Sequence, residues 1–132
     1  MPKKILIYGG GYIACEFASI FKGLGSKVHL VYRGDSLLKG FDSDVRNTLT
    51  SEFINKDIQL TLNSTITSVK QENKKLRVDL ADGQNFSVDE ILCATGRKPN
   101  IDDLGLNQIG VRLKNGAISV DEYQKTNIPT IS

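Results

Sequence analysis

The chain has 132 residues, 39% hydrophobic and 24% charged, which is the usage of one globular domain rather than a disordered or fibrous protein. Lys and Arg total 17 against 15 Asp and Glu, so the net charge of +2 is too balanced to point to nucleic acid or a membrane surface. No apolar run approaches the ~18 residues of a bilayer span, and His29, Cys15 and Cys93 are too few and too scattered for a metal site.

The first element is Ile5-Leu6-Ile7-Tyr8, a short β-branched run stopped by glycines, which reads as a buried strand. Beyond Gly11, apolar residues recur at Ile13, Ala14, Phe17, Ala18 and Phe21, the spacing of one helix face, with Gly23 and Gly25 as stop signals. A second strand follows at Val28 to Tyr32. Asp42, Ser43 and Asp44 can then cap a second helix with Val45, Leu49 and Phe53 on its apolar face. Ile58-Gln59-Leu60 begins a third strand, completing a strand-helix-strand-helix-strand order that implies a parallel sheet with right-handed crossovers.

The rhythm changes after Asn63. Thr65 to Lys70 and Leu76 to Leu80 alternate with a period of two, with turns at Glu72-Asn73-Lys74 and Asp82-Gly83, as in an antiparallel meander. Ile91 to Ala94 returns to a buried-strand composition. The final third, rich in Gly and Asn, is expected to be irregular apart from a strand at Ala117 to Val120. The fold expected is α/β: a Rossmann-like βαβαβ parallel sheet with an antiparallel β-meander on one face.

Chemistry is concentrated in Gly9-Gly10-Gly11-Tyr12-Ile13-Ala14, a G-x-G-x-x-A pattern between a strand and a helix. Gly9 allows the tight turn, Gly11 lets a pyrophosphate approach the helix N-terminus, and Ala14 lets the helix pack on the strand. The end of the second strand discriminates between cofactors. An NAD site usually places Asp or Glu there, roughly 20 residues past the glycines, to accept from the ribose. Here the strand ends at Tyr32-Arg33 with Lys39 further on, a guanidinium and an ammonium suited to a 2′-phosphate. That favours NADP(H), while Asp35 stands close enough to be the alternative ribose acceptor.

With these motifs in order, the sequence resembles the pyridine nucleotide–disulfide oxidoreductases of class I. GGGYIACEF (Gly9 to Phe17) and ATGRKPN (Ala94 to Asn100) look like paired signatures of that family. RGDSLLKGFD (Arg33 to Asp42) is most similar to its glutathione reductase branch, and the likeness runs on to ISVDEYQKTNIPTIS (Ile118 to Ser132). The resemblance implies the NAD(P)H-binding domain of a larger FAD-dependent flavoenzyme. Residues 1–120 would be that domain, and 121–132 would start the segment returning to an FAD-binding domain. Complete members also carry a CxxxxC redox disulfide and a dimerisation domain, which this sequence does not contain. The FAD site is therefore expected in the parent and outside this chain, and the isolated domain is expected to be inactive.

Residue roles come by the same comparison. Tyr12 matches an aromatic gate over the flavin, and Glu16 an acidic residue near the nicotinamide carboxamide. Arg33 and Lys39 match the 2′-phosphate pair of NADPH-using members, and Gly96, beside Arg97, a glycine lying against the dinucleotide. Ile66 is set against adenine, or else is plain core. Gly10 and Ile13 complete the cofactor-binding set, with no catalytic or metal-ligating residue. Cys15 and Cys93 are expected as packed, reduced thiols.

The resemblance implies a cytoplasmic glutathione-disulfide reductase-like parent, a homodimer. In it the domain positions nicotinamide for hydride transfer to flavin. Alternatives are the NAD-binding domain of a dihydrolipoamide dehydrogenase, and a non-catalytic NAD(P)-sensing module.

Overall fold

The computed structural model describes all 132 residues, which form two compact units, Met1–Gly96 and Arg97–Ser132. In the first unit β1 (Lys4–Tyr8), α1 (Tyr12–Gly23), β2 (Lys27–Val31), α2 (Ser43–Asn55) and β3 (Gln59–Thr61) follow one another as the sequence predicts. A meander of β4 (Ile66–Glu72), β5 (Lys75–Leu80) and β6 (Asn85–Val88) comes next, and β7 (Glu90–Cys93) closes the unit. The parallel sheet has the order β3-β2-β1-β7, with Ile5 opposite Val28 and Tyr8 between Val31 and Cys93. The meander pairs antiparallel as β4-β5-β6.

Both faces of the parallel sheet are covered, so its strands read as continuous apolar runs. On one face Ile5, Ile7, Val28 and Leu30 pack with Ala14, Cys15 and Ala18 of α1 and Phe53 of α2. On the other, Leu6 and Val31 meet Val78, Leu80 and Val88 of the meander. His29 also sits on the meander side. Its Nε2 lies 2.8 Å from the Thr61 hydroxyl and its ring stands edge-on to Phe86, with centroids 4.1 Å apart.

The helices end as their residues dictate. Asp42 caps α2, its carboxylate accepting from the Asp44 N–H at 2.9 Å. Gly25, at φ +90°, turns the chain out of α1.

Four residues expected to be buried are exposed. Ile13 and Phe17 are exposed because small residues seat α1 on the sheet along a narrow line of Ala14, Cys15 and Ala18. Val45 is exposed too, since α2 buries only Phe53 fully. Cys93, expected in the core, is exposed, because β7 is an edge strand paired on one side only.

The second unit is largely irregular and carries a hairpin of β8 (Leu113–Lys114) and β9 (Ala117–Ile118). Asn115 and Gly116 turn it at φ +53° and +76°, the conformation that Asn-Gly adopts readily. Side chains hold the loops around it. Asn127 donates to the Gly110 carbonyl at 2.9 Å and accepts from the Arg112 N–H at 2.8 Å.

Candidate functional site

The carboxyl ends of β1, β2 and β7 are tied together by backbone hydrogen bonds. Gly9 N–H donates to the Val31 carbonyl at 2.9 Å, and Ala94 N–H to the Tyr8 carbonyl at 2.8 Å. From β1 the chain crosses to β2 on one side, while β7 joins on the other, so the sheet changes direction at this point. Crevices at such switch points are where open α/β sheets bind ligands. A cleft of about 450 Å³ lies here, walled by Tyr8, the Gly9–Gly11 turn, Tyr32, Arg33 and the Ala94–Gly96 segment.

The three glycines are not equivalent. Gly9 stands at φ +147°, and a Cβ there would collide with the Ala94 carbonyl, so this glycine lets the ends of β1 and β7 approach. A Cβ on Gly10 would run into the Tyr32 ring. A Cβ on Gly11 meets nothing within 4 Å, so its absence serves open space on the cleft side rather than protein packing.

Gly11 is also the N-cap of α1. It offers no side-chain cap, and the first turn of the helix holds no acidic residue. The first N–H groups of a 12-residue helix thus carry the positive end of its dipole without a side-chain acceptor, an arrangement that suits an anion. The donor set fits the pyrophosphate of a dinucleotide.

Arg33 is exposed and lines the same cleft. Lys39 is exposed on the same loop but outside the lining, and Asp35 is outside it as well. Asp35 is engaged elsewhere. The Ser36 hydroxyl donates to it at 3.0 Å, and the Arg46 guanidinium faces it at 4.0 Å.

The other expected residues lie as follows. Ala14 is buried beneath the glycine turn, and Tyr12, Ile13 and Glu16 are exposed on α1, with Glu16 beyond its first turn. Gly96 lines the cleft, whereas Arg97 is exposed and opens the second unit. Ile66 is half-buried against the meander-side core and is not in the cleft wall.

Tyr32 and Arg46 were not singled out as functional residues by the sequence. Tyr32 had no readable signal, since its slot is made by the missing Cβ atoms of Gly10 and Gly34, which only the fold brings to the ring. Arg46 did have one, as a cation near the N-terminal end of a helix, where the dipole disfavours it.

Cys15, on the buried side of α1, has its thiol pushed up to about 11 by burial and then by the negative charge of Glu16. It is an inert packed thiol, not a nucleophile.

The chain is similar to known proteins along its length. The family model described as pyridine nucleotide-disulphide oxidoreductase matches residues 1–132. A glutathione reductase of Burkholderia cepacia is 46% identical over 131 residues, covering 98% of this chain and 29% of that protein. The chain thus spans less than a third of the length of this curated relative. Among solved structures, LpdA from Mycobacterium tuberculosis superposes with a TM-score of 0.88 at 28% identity, covering 96% of this chain and 28% of that one. An engineered water-forming NADPH oxidase, solved bound to NADPH, superposes with a TM-score of 0.86 at 25% identity, over 97% of this chain and 28% of that one. With the glycine turn, the switch-point cleft and a family match along its whole length, the chain belongs to the pyridine nucleotide-disulphide oxidoreductases.

Proposed function

We propose that this chain is the NADPH-binding domain of a flavin-dependent disulfide reductase of the glutathione reductase type. The observation that carries the reading is Arg33 lining the same cleft as Gly11, the N-cap of a helix without a side-chain cap. In this reading the α1 amides hold the pyrophosphate, and Gly11 leaves room for it. Arg33 grips the 2′-phosphate with a planar fork, and Lys39 adds a mobile charge nearby. Tyr12, Ile13 and Glu16, at the start of α1, face the nicotinamide end, and Gly96 flanks the dinucleotide from the segment after β7.

When bound, NADPH supplies the reducing equivalent. The chain's own contribution is geometric, fixing the cofactor so that its reactive end is presented in one orientation. The domain runs over 1–120, and 121–132 begin the return to a flavin-binding domain. The redox dithiol belongs to the remainder of a homodimeric, cytoplasmic parent, whose substrate is glutathione disulfide.

Calorimetric titration of the wild type and Arg33→Ala with NADPH and NADH tests the assignment. A hydrogen bond to a charged group contributes on the order of 1.5–3 kcal/mol, so Arg33→Ala should weaken NADPH roughly 10- to 100-fold and leave NADH nearly unchanged. A wild type that prefers NADH, or equal losses for both cofactors, overturns it and returns the ribose contact to Asp35.

A further inference from the structure

Arg33 and Asp35 stand two residues apart on the loop between β2 and α2, and they are of opposite use to a 2′-phosphate. The guanidinium attracts it, and a free carboxylate beside it would repel it. Side-chain contacts tie the carboxylate off. Arg46, the fourth residue of α2, has a side chain only 25% exposed and reaches back over the loop. Its Nε donates to the Leu37 carbonyl at 3.0 Å, one Nη donates to the Ser36 hydroxyl, and the same Nη lies 4.0 Å from the Asp35 carboxylate. Ser36 in turn donates to Asp35. The loop is further pinned by the buried Leu37 and Leu38 side chains, and by the Leu38 N–H donating to the Gly10 carbonyl at 2.8 Å. The cation-bearing loop and the glycine turn are therefore one braced assembly, and Arg46 is its polar strut.

We infer that Arg46 is a positioning residue for cofactor choice: by drawing Asp35 aside and bracing the loop, it leaves Arg33 as the charge that faces a 2′-phosphate. The inference rests on the NADPH reading above. Arg46 touches no part of the cleft, so it acts only through Asp35 and the loop. Asp35 is largely exposed, and exposed pairs shift an equilibrium by about fivefold or less. Losing the pair and releasing the carboxylate toward the phosphate should together change selectivity by about three- to tenfold.

The experiment is calorimetric titration of the chain with NADPH and NADH, comparing the ratio of the two affinities, with thermal melting of each variant. Arg46→Ala should lower the NADPH-to-NADH ratio about three- to tenfold, and adding Asp35→Asn to it should restore the ratio to within about twofold. Arg46→Lys keeps the charge but not the fork, and should retain part of the preference. Asp35→Asn alone should change the ratio by less than about twofold, because the Ser36 hydroxyl and the Arg46 guanidinium 4.0 Å away already engage that carboxylate; this arm needs no Arg46 variant to fold. Equal weakening of both cofactors by Arg46→Ala, no rescue by Asp35→Asn, or a large gain in NADPH preference from Asp35→Asn alone each overturns the inference while leaving the NADPH reading intact. A wild type without NADPH preference overturns both.

Discussion

Cys15 and Cys93 carry the same thiol into opposite surroundings, one under α1 and one on an edge strand. A thiol held up near 11 is protonated at pH 8, and burial also denies a reagent access. With Ellman's reagent at pH 8 the folded chain should release one equivalent quickly, from Cys93, and the second only on adding denaturant. Rapid release of two would contradict the packing of α1. His29 makes a second residue-scale claim. Burial pulls its imidazole below the ordinary 6.5, an effect that Asp82 only partly offsets. Between the folded value and 6.5 the unfolded chain therefore binds more protons than the folded one, so stability is lost as pH falls below about 6.5. His29→Gln should flatten melting temperature against pH over that window, whereas an unaltered slope would assign it to other groups.

At the scale of elements, the turn from β1 to α1 serves two separate purposes. Gly9 is a structural necessity, since a side chain there meets the Ala94 backbone and φ is +147°. Gly11 is open on its free side. Gly9→Ala should lower the melting temperature by several degrees, at a cost of about 1–3 kcal/mol for a side chain forced into that backbone region. Gly11→Ala should leave melting within a degree or two and weaken NADPH at least about tenfold, because in the proposed reading the new methyl would lie where the pyrophosphate approaches. If the two substitutions behave alike in both measurements, the turn does not divide its work this way. The periodicity of α1 found the helix but overstated its buried face. Apolar spacing alone does not reveal that Ala14 and Ala18 bring the axis close to the sheet and leave Ile13 and Phe17 at the margin. Likewise a strand composition at Ile91 to Ala94 does not say which strand lies at the edge, and that position decides the exposure of Cys93.

For the whole molecule, the parallel sheet, the meander and the glycine-turn cleft were legible because each rests on local signals: period, caps, Gly and Asn turns. The non-local features were not. The joining of β7 beside β1, the ring of Tyr32 in its glycine slot and the reach of Arg46 across ten residues to Ser36 depend on topology that spacing does not encode. The β8–β9 hairpin was partly legible, because Asn115-Gly116 is a strong turn signal while strands of two residues carry almost no periodicity.

In the proposed reading the switch-point cleft of the first unit holds the dinucleotide, with the pyrophosphate on α1 and the 2′-phosphate on Arg33. Backbone amide spectra of isotopically labelled chain, titrated with NADPH, test it most directly. The amides of Gly9 to Ile13, Arg33 and Ala94 to Gly96 should shift together with one dissociation constant, and those of Arg33 should move far less with NADH. Shifts concentrated on the meander or in the second unit, or none at saturating NADPH, would contradict it.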